Sequence, residues 1–403
     1  MSAPETTSEL GLMGGTPPVG DALVTLGNWQ DPPFNRWGFQ HIRELIPTAR
    51  IRPGDAPWEL PRDESDLSGM TVTARDRDRV LGELLDDTYT DGFLVFHRGR
   101  VVFERYFNSL TPDTPHLLMS VSKSVTSTVV GALVGEGVLD PAQAVTDVVP
   151  ELSGTSFDGC TVRHLLDMRA GTHFDEDYDN LDADVRVYEE IYQWRPHSGR
   201  ELPAEITAYY ATLANDGEHG GPFRYRSVLT DVLGWVAERA AGRRLPELIS
   251  TRVWQPMGAE FDAEVTVDGS GNAMADGGVC CTLRDLARFG RLMLEGGRRD
   301  GHQIVPEAWV ADILTPDPDS REAFLPSDDA HEFPPGAYYR NKWWVVDADK
   351  GVYAGVGING QMVLVDGEHD GVVAKLSTWP EAWTTDRFVP TLYGCRDLLR
   401  RLA

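Results

Sequence analysis

Apolar residues recur along this chain in two periods. Phe93-Leu94-Val95-Phe96 and Val101-Val102-Phe103 are short aromatic and β-branched runs on either side of Arg98-Gly99-Arg100, which predicts a β-hairpin. Residues 76–86 carry apolar positions at helical spacing, and residues 121–136 predict a long helix closed by Gly137. That helix is apolar on nearly every side, so it should lie buried in the middle of the protein. Four more helical segments follow at 161–169, 204–213, 227–241 and 246–255, with acidic loops between them. Thr282-Leu283-Arg284-Asp285 opens another helix in the manner of a capping box, with Asp where Glu or Gln is usual. Residues 342–346, 352–358, 361–365 and 372–377 predict strands, and 388–402 a closing helix. This order predicts an α/β (α+β) protein. A sheet-containing domain is assembled from residues 26–155 and 266–403, and an all-helical domain, residues 156–265, is inserted between its halves. Residues 1–25 are small, polar and rich in Gly and Pro, which predicts a loose arm.

The chain has 403 residues, 41% of them hydrophobic, enough to bury a sizeable core and to exclude wholesale disorder. Asp and Glu number 63 against 37 Lys and Arg, a formal charge of -26, which argues against nucleic acid or an anionic bilayer as partner. The four cysteines, Cys160, Cys280, Cys281 and Cys395, contain no C-x-x-C pair and fit a reducing compartment better than a disulfide scaffold or zinc module. Met1 to Gly20 has neither a basic nor an apolar signal region, and no uncharged apolar run reaches the roughly 18 residues of a membrane helix. A cytoplasmic protein without a membrane partner is expected.

The first candidate for chemistry is Ser120-Val121-Ser122-Lys123, an S-x-x-K at the start of the most apolar helix. Residues i and i+3 share a helix face, which places Lys123 beside the Ser120 hydroxyl. The helix N-terminus aims N–H groups and positive dipole at Ser120. A lysine in so apolar a helix is costly to keep charged and is therefore a usable base. The plain alternative is a serine cap followed by a lysine that reaches solvent. Tyr225-Arg226-Ser227, at the start of a later helix, is the second candidate: Tyr225 could shuttle protons to a leaving group, or it could simply pack in the core. Gly355-Val356-Gly357-Ile358-Asn359-Gly360 matches G-x-G-x-x-G, but strand-like Gln361-Met362-Val363-Leu364-Val365 follows where a dinucleotide site needs a helix. It reads instead as a glycine-rich strand whose backbone approaches a ligand and completes an oxyanion hole with the N–H of Ser120. Asp175, Asp177 and Asp179 imitate a calcium loop, but Asn180 replaces its glycine and Arg186 its bidentate Glu, so a solvated acidic loop is expected. H-E-x-x-H and G-x-S-x-G are absent and the ten histidines do not cluster in sequence, which removes zincins, α/β-hydrolases and a Ser-His-Asp site. No metal and no cofactor is expected.

Together these strings resemble the 6-aminohexanoate-dimer hydrolases, the nylon-oligomer-degrading branch of the serine β-lactamase/penicillin-binding protein superfamily, with its class C β-lactamase-like carboxylesterases. The resemblance is carried by Trp29-Gln30, Asn35-Arg36-Trp37, His116-Leu117-Leu118-Met119-Ser120-Val121-Ser122-Lys123-Ser124, Thr230-Asp231-Val232-Leu233, Gly277-Gly278-Val279, Gly360-Gln361 and Lys375-Leu376-Ser377. It implies a β-lactamase/DD-peptidase-like fold, a central antiparallel sheet flanked by helices with the helical domain beside it. Ser120 would be the acylated nucleophile, Lys123 its activator, Tyr225 the proton donor to the leaving group, and the N–H groups of Ser120 and Ile358 the oxyanion hole. The resemblance places Tyr178, Glu189, Asp276, Gly357 and Trp343 at the substrate, Tyr178 closing over it and Glu189 meeting a free ammonium. Glu189 stands where good amidases of the family carry Asp, and Asp276 where they favour Asn. Gly355-Val356-Gly357 occupies the place of a K-T-G without its lysine, which disfavours β-lactams. The expected activity is hydrolysis of short carboxylic esters and of the amide of linear 6-aminohexanoate dimer, in a possible homodimer. A D-amino-acid peptidase or β-lactamase activity, or a non-catalytic binding protein on the same fold, are the alternatives.

Overall fold

The computed structural model describes residues 3–403. Strand β1 is Thr48–Ile51; the predicted hairpin is β2, Thr90–His97, with β3, Arg100–Tyr106; β4 is the two-residue His116–Leu117. The predicted buried helix is α1, Val121–Gly135. The helical block supplies α2, Val162–Leu166, α3, Asp184–Ile191, α4, Ile206–Tyr210, and α5, Val228–Ala241. Strands β5, Ala263–Thr266, and β6, Val279–Cys281, precede α6, Leu283–Leu294. The C-terminal part contains β7, Tyr338–Arg340, β8, Trp343–Asp347, β9, Val352–Gly357, β10, Gln361–Asp366, β11, Gly371–Ser377, and the last helix, α7, Thr385–Leu402.

Among the described residues, the main sheet is antiparallel with order β7-β8-β9-β10-β11-β2-β3, so the N-terminal hairpin completes a sheet begun at the C-terminus. Val372 pairs with Phe96 and Val373 with Val95, which brings two predicted apolar strands together at the centre. Helix α6 packs across β2, β10 and β11, its Gly290 giving way to Val363 and Val372. Helix α7 covers the other face, where Leu399 fills the space over Gly371. A second sheet, β1-β5-β6-β4, is built from strands of two to four residues, too short to announce themselves as a pattern. Its last pair presents Leu118 and Ser120: the Leu118 N–H donates to the Val279 carbonyl at 2.8 Å, and the Val279 N–H to Ser122 Oγ at 3.1 Å.

Three expectations change. The arm over residues 1–25 is not loose where it is described: Leu12 and Val24 are buried, and the N–H and Oγ1 of Thr7 both donate to Asn108 Oδ1 at 2.8 Å. A few apolar anchors suffice to lay a polar, Gly/Pro-rich segment on the body. Residues 76–86 are not one helix: Arg77–Val80 pairs with Thr71–Ala74 as a hairpin, and only Leu81–Asp87 is helical. The helical block grades into sheet within β5, which begins at Ala263. No helix among the described residues is long and apolar enough to cross a membrane.

Candidate active site

Helix α1 is buried, as its pattern predicts, and its hydroxyls also tie it to its neighbours. Ser124 Oγ donates to the Lys342 carbonyl at 2.9 Å, Ser127 Oγ to the Asn341 carbonyl at 2.6 Å, and Thr126 Oγ1 to the Ala275 carbonyl at 2.9 Å. These bonds clamp two loops onto the helix and satisfy carbonyls that would otherwise be buried without partners. Met119 stands just before the helix with φ of 47°, a left-handed conformation uncommon for a side chain of its size, and delivers Ser120 at the helix start. The Ser120 N–H makes no hydrogen bond within the described protein.

Lys123 Nζ lies 2.7 Å from Ser120 Oγ, so the S-x-x-K reading is realised in geometry and the solvent-reaching alternative is not. Lys123 is 1% exposed. Its surroundings are anionic rather than apolar: Nζ also donates to the Asp276 carbonyl at 3.1 Å and to Asp276 Oδ2 at 3.2 Å. Asp276 Oδ1 accepts from the Tyr188 hydroxyl at 2.7 Å, and that hydroxyl also bonds to Asp231 Oδ2. Asp231, on α5, takes the Ala275 N–H at 2.6 Å. Burial and the neighbouring Asp276 charge push its carboxyl above the usual range.

Tyr225 enters from the start of α5. Its ring stacks on Trp344 at 5.4 Å and 16°, and Lys123 Nζ stands 5.1 Å from its centroid. Burial and the Glu176 charge push the Tyr225 phenol well above its ordinary value, while hydrogen bonding with Ser120 opposes the shift. The phenol therefore keeps its proton in the resting site. Glu176 ties the second wall to this helix: it accepts the Ser227 N–H at 2.7 Å, the Ser227 hydroxyl at 2.5 Å and the Tyr178 hydroxyl at 2.8 Å.

The glycine-rich strand runs against the start of α1. A Cβ on Gly355 would meet Ser124 Oγ at 2.9 Å, and one on Gly357 would meet the Leu118 carbonyl at 2.7 Å and the Ser120 nitrogen at 3.0 Å. At these two glycines β9 therefore meets the start of α1 with its backbone, and Ile358 arrives beside Ser120 at the edge of the cavity. The motif turns from one strand into the next, with no helix following as a dinucleotide site requires.

A cavity of about 680 Å³ opens over Ser120, walled by Tyr225, Trp344, Val356, Trp383, Asp328 and Asp329. Three acidic side chains line it: Glu176, Asp328 and Asp329. Burial and the charges of Glu332, Asp328 and Glu176 push Asp329 up to about 7.

Two substrate-binding expectations fail. Trp343 does not reach the cavity. It is fully buried, stacked on Phe289 of α6 at 5.7 Å, and successive strand residues face opposite sides, so its neighbour Trp344 takes the cavity wall. Glu189 is near Ser120, but its charge is already paired: Arg186 donates to its Oε2 at 2.7 Å and Arg195 to the same oxygen at 2.6 Å. Asp276 contacts Lys123 and lines the smaller space beside Ser120 rather than the large cavity. Trp344, Glu176, Asp231, Asp328 and Asp329 were not singled out from sequence. Strand alternation could have offered Trp344 beside Trp343, whereas the carboxylates converge only in three dimensions.

Asp175 and Asp177 accept the N–H groups two residues on, at 3.1 and 2.9 Å, as turn residues do. Cys160, His164 and His219 do meet, although their sequence spacing shows no cluster. Both imidazoles accept a backbone N–H at Nδ1, from Thr161 at 3.1 Å and from Gly171 at 3.0 Å, and His219 Nε2 donates to the Asp158 carbonyl. The Nε2 lone pairs a metal would need thus carry protons, and the trio is a structural clasp.

An antiparallel sheet flanked by helices, with an S-x-x-K serine between sheet and helical block, defines the class. A model of the beta-lactamase family matches residues 77–389, and the chain belongs to that family. It is 42% identical over 357 residues to the 6-aminohexanoate-dimer hydrolase of Paenarthrobacter ureafaciens, covering 89% of this chain and 88% of that protein. A candidate 6-aminohexanoate-dimer hydrolase from Bacillus anthracis superposes with a TM-score of 0.86 at 26% identity, over 95% of this chain and 98% of the other. A family VIII carboxylesterase superposes with a TM-score of 0.57 at 17% identity, over 76% and 91%, and shows the shared fold. The chain is a hydrolase of the beta-lactamase family, a homologue of 6-aminohexanoate-dimer hydrolase.

Proposed function

We propose that this protein hydrolyses short carboxylic esters through an acyl-enzyme on Ser120. The observation that carries the reading is the 2.7 Å contact between Lys123 Nζ and Ser120 Oγ at the floor of a cavity walled by Tyr225. Lys123 takes the Ser120 proton as Oγ attacks the carbonyl carbon. The oxyanion is held by the N–H groups of Ser120 and Ile358. As the tetrahedral intermediate collapses, the Tyr225 hydroxyl protonates the departing oxygen, and the proton held by Lys123 then restores the Tyr225 hydroxyl. Water then adds to the ester carbonyl by the same route in reverse, releasing the acid and restoring Ser120.

A second reading, cleavage of the 6-aminohexanoate dimer amide, is favoured by the 42% identity to an enzyme of that name. The arginine partners of Glu189 weigh against it, because they occupy the carboxylate expected to hold the substrate ammonium. The Ser120→Ala variant tests the main reading: p-nitrophenyl acetate turnover should fall by roughly 10³-fold or more. Undiminished turnover would remove Ser120 as nucleophile.

A further inference from the structure

Two spaces of very different size meet at Ser120. On the side of Tyr225 lies the cavity of about 680 Å³. On the side of Asp276 lies a narrow chamber of about 20 Å³, walled by Gln30, Tyr188, Glu189, Trp194, Met274 and Asp276. Ser120, Tyr178 and Ile358 border both, so the two spaces offer separate places for the two substituents of a carbonyl attacked by Ser120. Roughly 10–15 Å³ of such volume is what a single water needs, so the chamber admits one water or a methyl-sized group.

Its walls are pinned. Glu189 is fixed by Arg186 and Arg195, and Tyr188 by Asp276 and Asp231. Trp194 donates its Nε1–H to Thr266 Oγ1 at 3.0 Å and packs edge-on against Trp29 at 5.2 Å. Trp29 in turn donates to the Trp194 carbonyl at 2.9 Å, so the N-terminal segment helps to close this side. The two spaces are also chemically distinct. Tyr225 lines the large cavity and not the chamber. A leaving group that takes its proton from Tyr225 must lie in the large cavity, and the acyl substituent is left to the chamber.

We propose that the chamber beside Asp276 is the acyl subsite and restricts this enzyme to acetyl-sized acyl groups, while bulky alcohols or amines are accepted as leaving groups. The Glu189–Arg186–Arg195 cluster, Trp194 and Met274 are the residues that set the limit. A 6-aminohexanoyl group is excluded from that side. The proposal rests on the assignment of Tyr225 as proton donor to the leaving group.

The test is a pair of ester series on the full-length protein. In the first, p-nitrophenyl acetate, butyrate and hexanoate vary the acyl chain; in the second, methyl, hexyl and 4-phenylbutyl acetates vary the alcohol. Misfit of a methylene costs on the order of 10–200-fold in kcat/KM, so the acyl series should fall at least about tenfold from acetate to butyrate, while the alcohol series stays flat or rises. Met274→Ala, or the smaller trim Met274→Val, should raise the butyrate-to-acetate ratio severalfold. A flat acyl series, as expected if the chamber holds only the hydrolytic water, overturns the proposal, and so does a steep alcohol series with a flat acyl one. Either result with turnover still dependent on Ser120 leaves the hydrolase assignment standing. Turnover that survives Ser120→Ala removes that assignment instead. Intact-mass measurement of the acylated protein reads the same acyl preference without relying on deacylation.

Discussion

Gly357→Ala isolates the contact between strand β9 and the nucleophile. The backbone there has φ of -129°, which any residue adopts, so the substitution carries no conformational strain of its own. The obstacle is contact. The added methyl would sit 2.7 Å from the Leu118 carbonyl oxygen and 3.0 Å from the Ser120 nitrogen, where ordinary contacts begin at 3.4 Å. Both obstacles are backbone atoms and cannot swing aside as a side-chain end would. Relief therefore requires strand and helix start to part by about 0.7 Å, and the two proposed oxyanion donors, on Ser120 and Ile358, part with them. A misplacement near 1 Å costs on the order of 10²-fold, and loss of one oxyanion donor about 10²–10³-fold. The expected result is a fall of about 10²-fold in kcat for p-nitrophenyl acetate, with a smaller change in KM. Overpacking of this kind costs about 1–3 kcal/mol, so thermal unfolding followed by circular dichroism should show a lowered but still cooperative transition. A folded Gly357→Ala protein with kcat within twofold of the parent would refute the close approach of β9 as a catalytic requirement.

Two further outcomes follow from the same geometry. Trp344→Ala should raise KM for aromatic esters by removing the surface on which Tyr225 stacks, whereas Trp343→Ala should chiefly lower stability, by about 3–5 kcal/mol, in denaturant titration; equal effects on KM would contradict their opposite facings. An acetate ester of an ammonium-bearing alcohol should be hydrolysed faster than its neutral isostere, with an advantage that grows as pH rises through about 7, because Asp329 becomes anionic there, facing Glu332, Asp328, Glu176 and His331. The linked stability effect has the opposite sense: the native carboxyl holds its proton more tightly than the unfolded one, so stability falls as pH rises from about 4 to about 7, and Asp329→Asn should flatten that slope.

Local pattern determined much of this protein. The run of β-branched and aromatic residues around Arg98-Gly99-Arg100 is a hairpin, the C-terminal apolar runs are adjacent strands, and the segment after Ser120 is a buried helix, because each depends on a period written in consecutive residues. The pairing of Ser120 with Lys123 belongs to the same level, since helical spacing alone brings the two side chains together. So does the rejection of a nucleotide site, which needs only the strand that follows Gly360.

Tertiary structure decided what surrounds that dyad. Asp276 reaches Lys123 from 153 residues away and Glu176 reaches Ser227 from 51, and no periodicity within one segment registers such separations. Whether Glu189 is free or spoken for depends on where Arg186 and Arg195 end, and whether Trp343 or Trp344 faces the cavity depends on which side of β8 meets α6. The same holds for the arm: its polar composition predicts solvent, but Leu12 and Val24 find apolar surface formed only once the body has folded. Burial is a property of what packs against a residue, so the shape and charge of the cavity, and with them its choice of substrate, arise from contacts between segments that are remote in the chain.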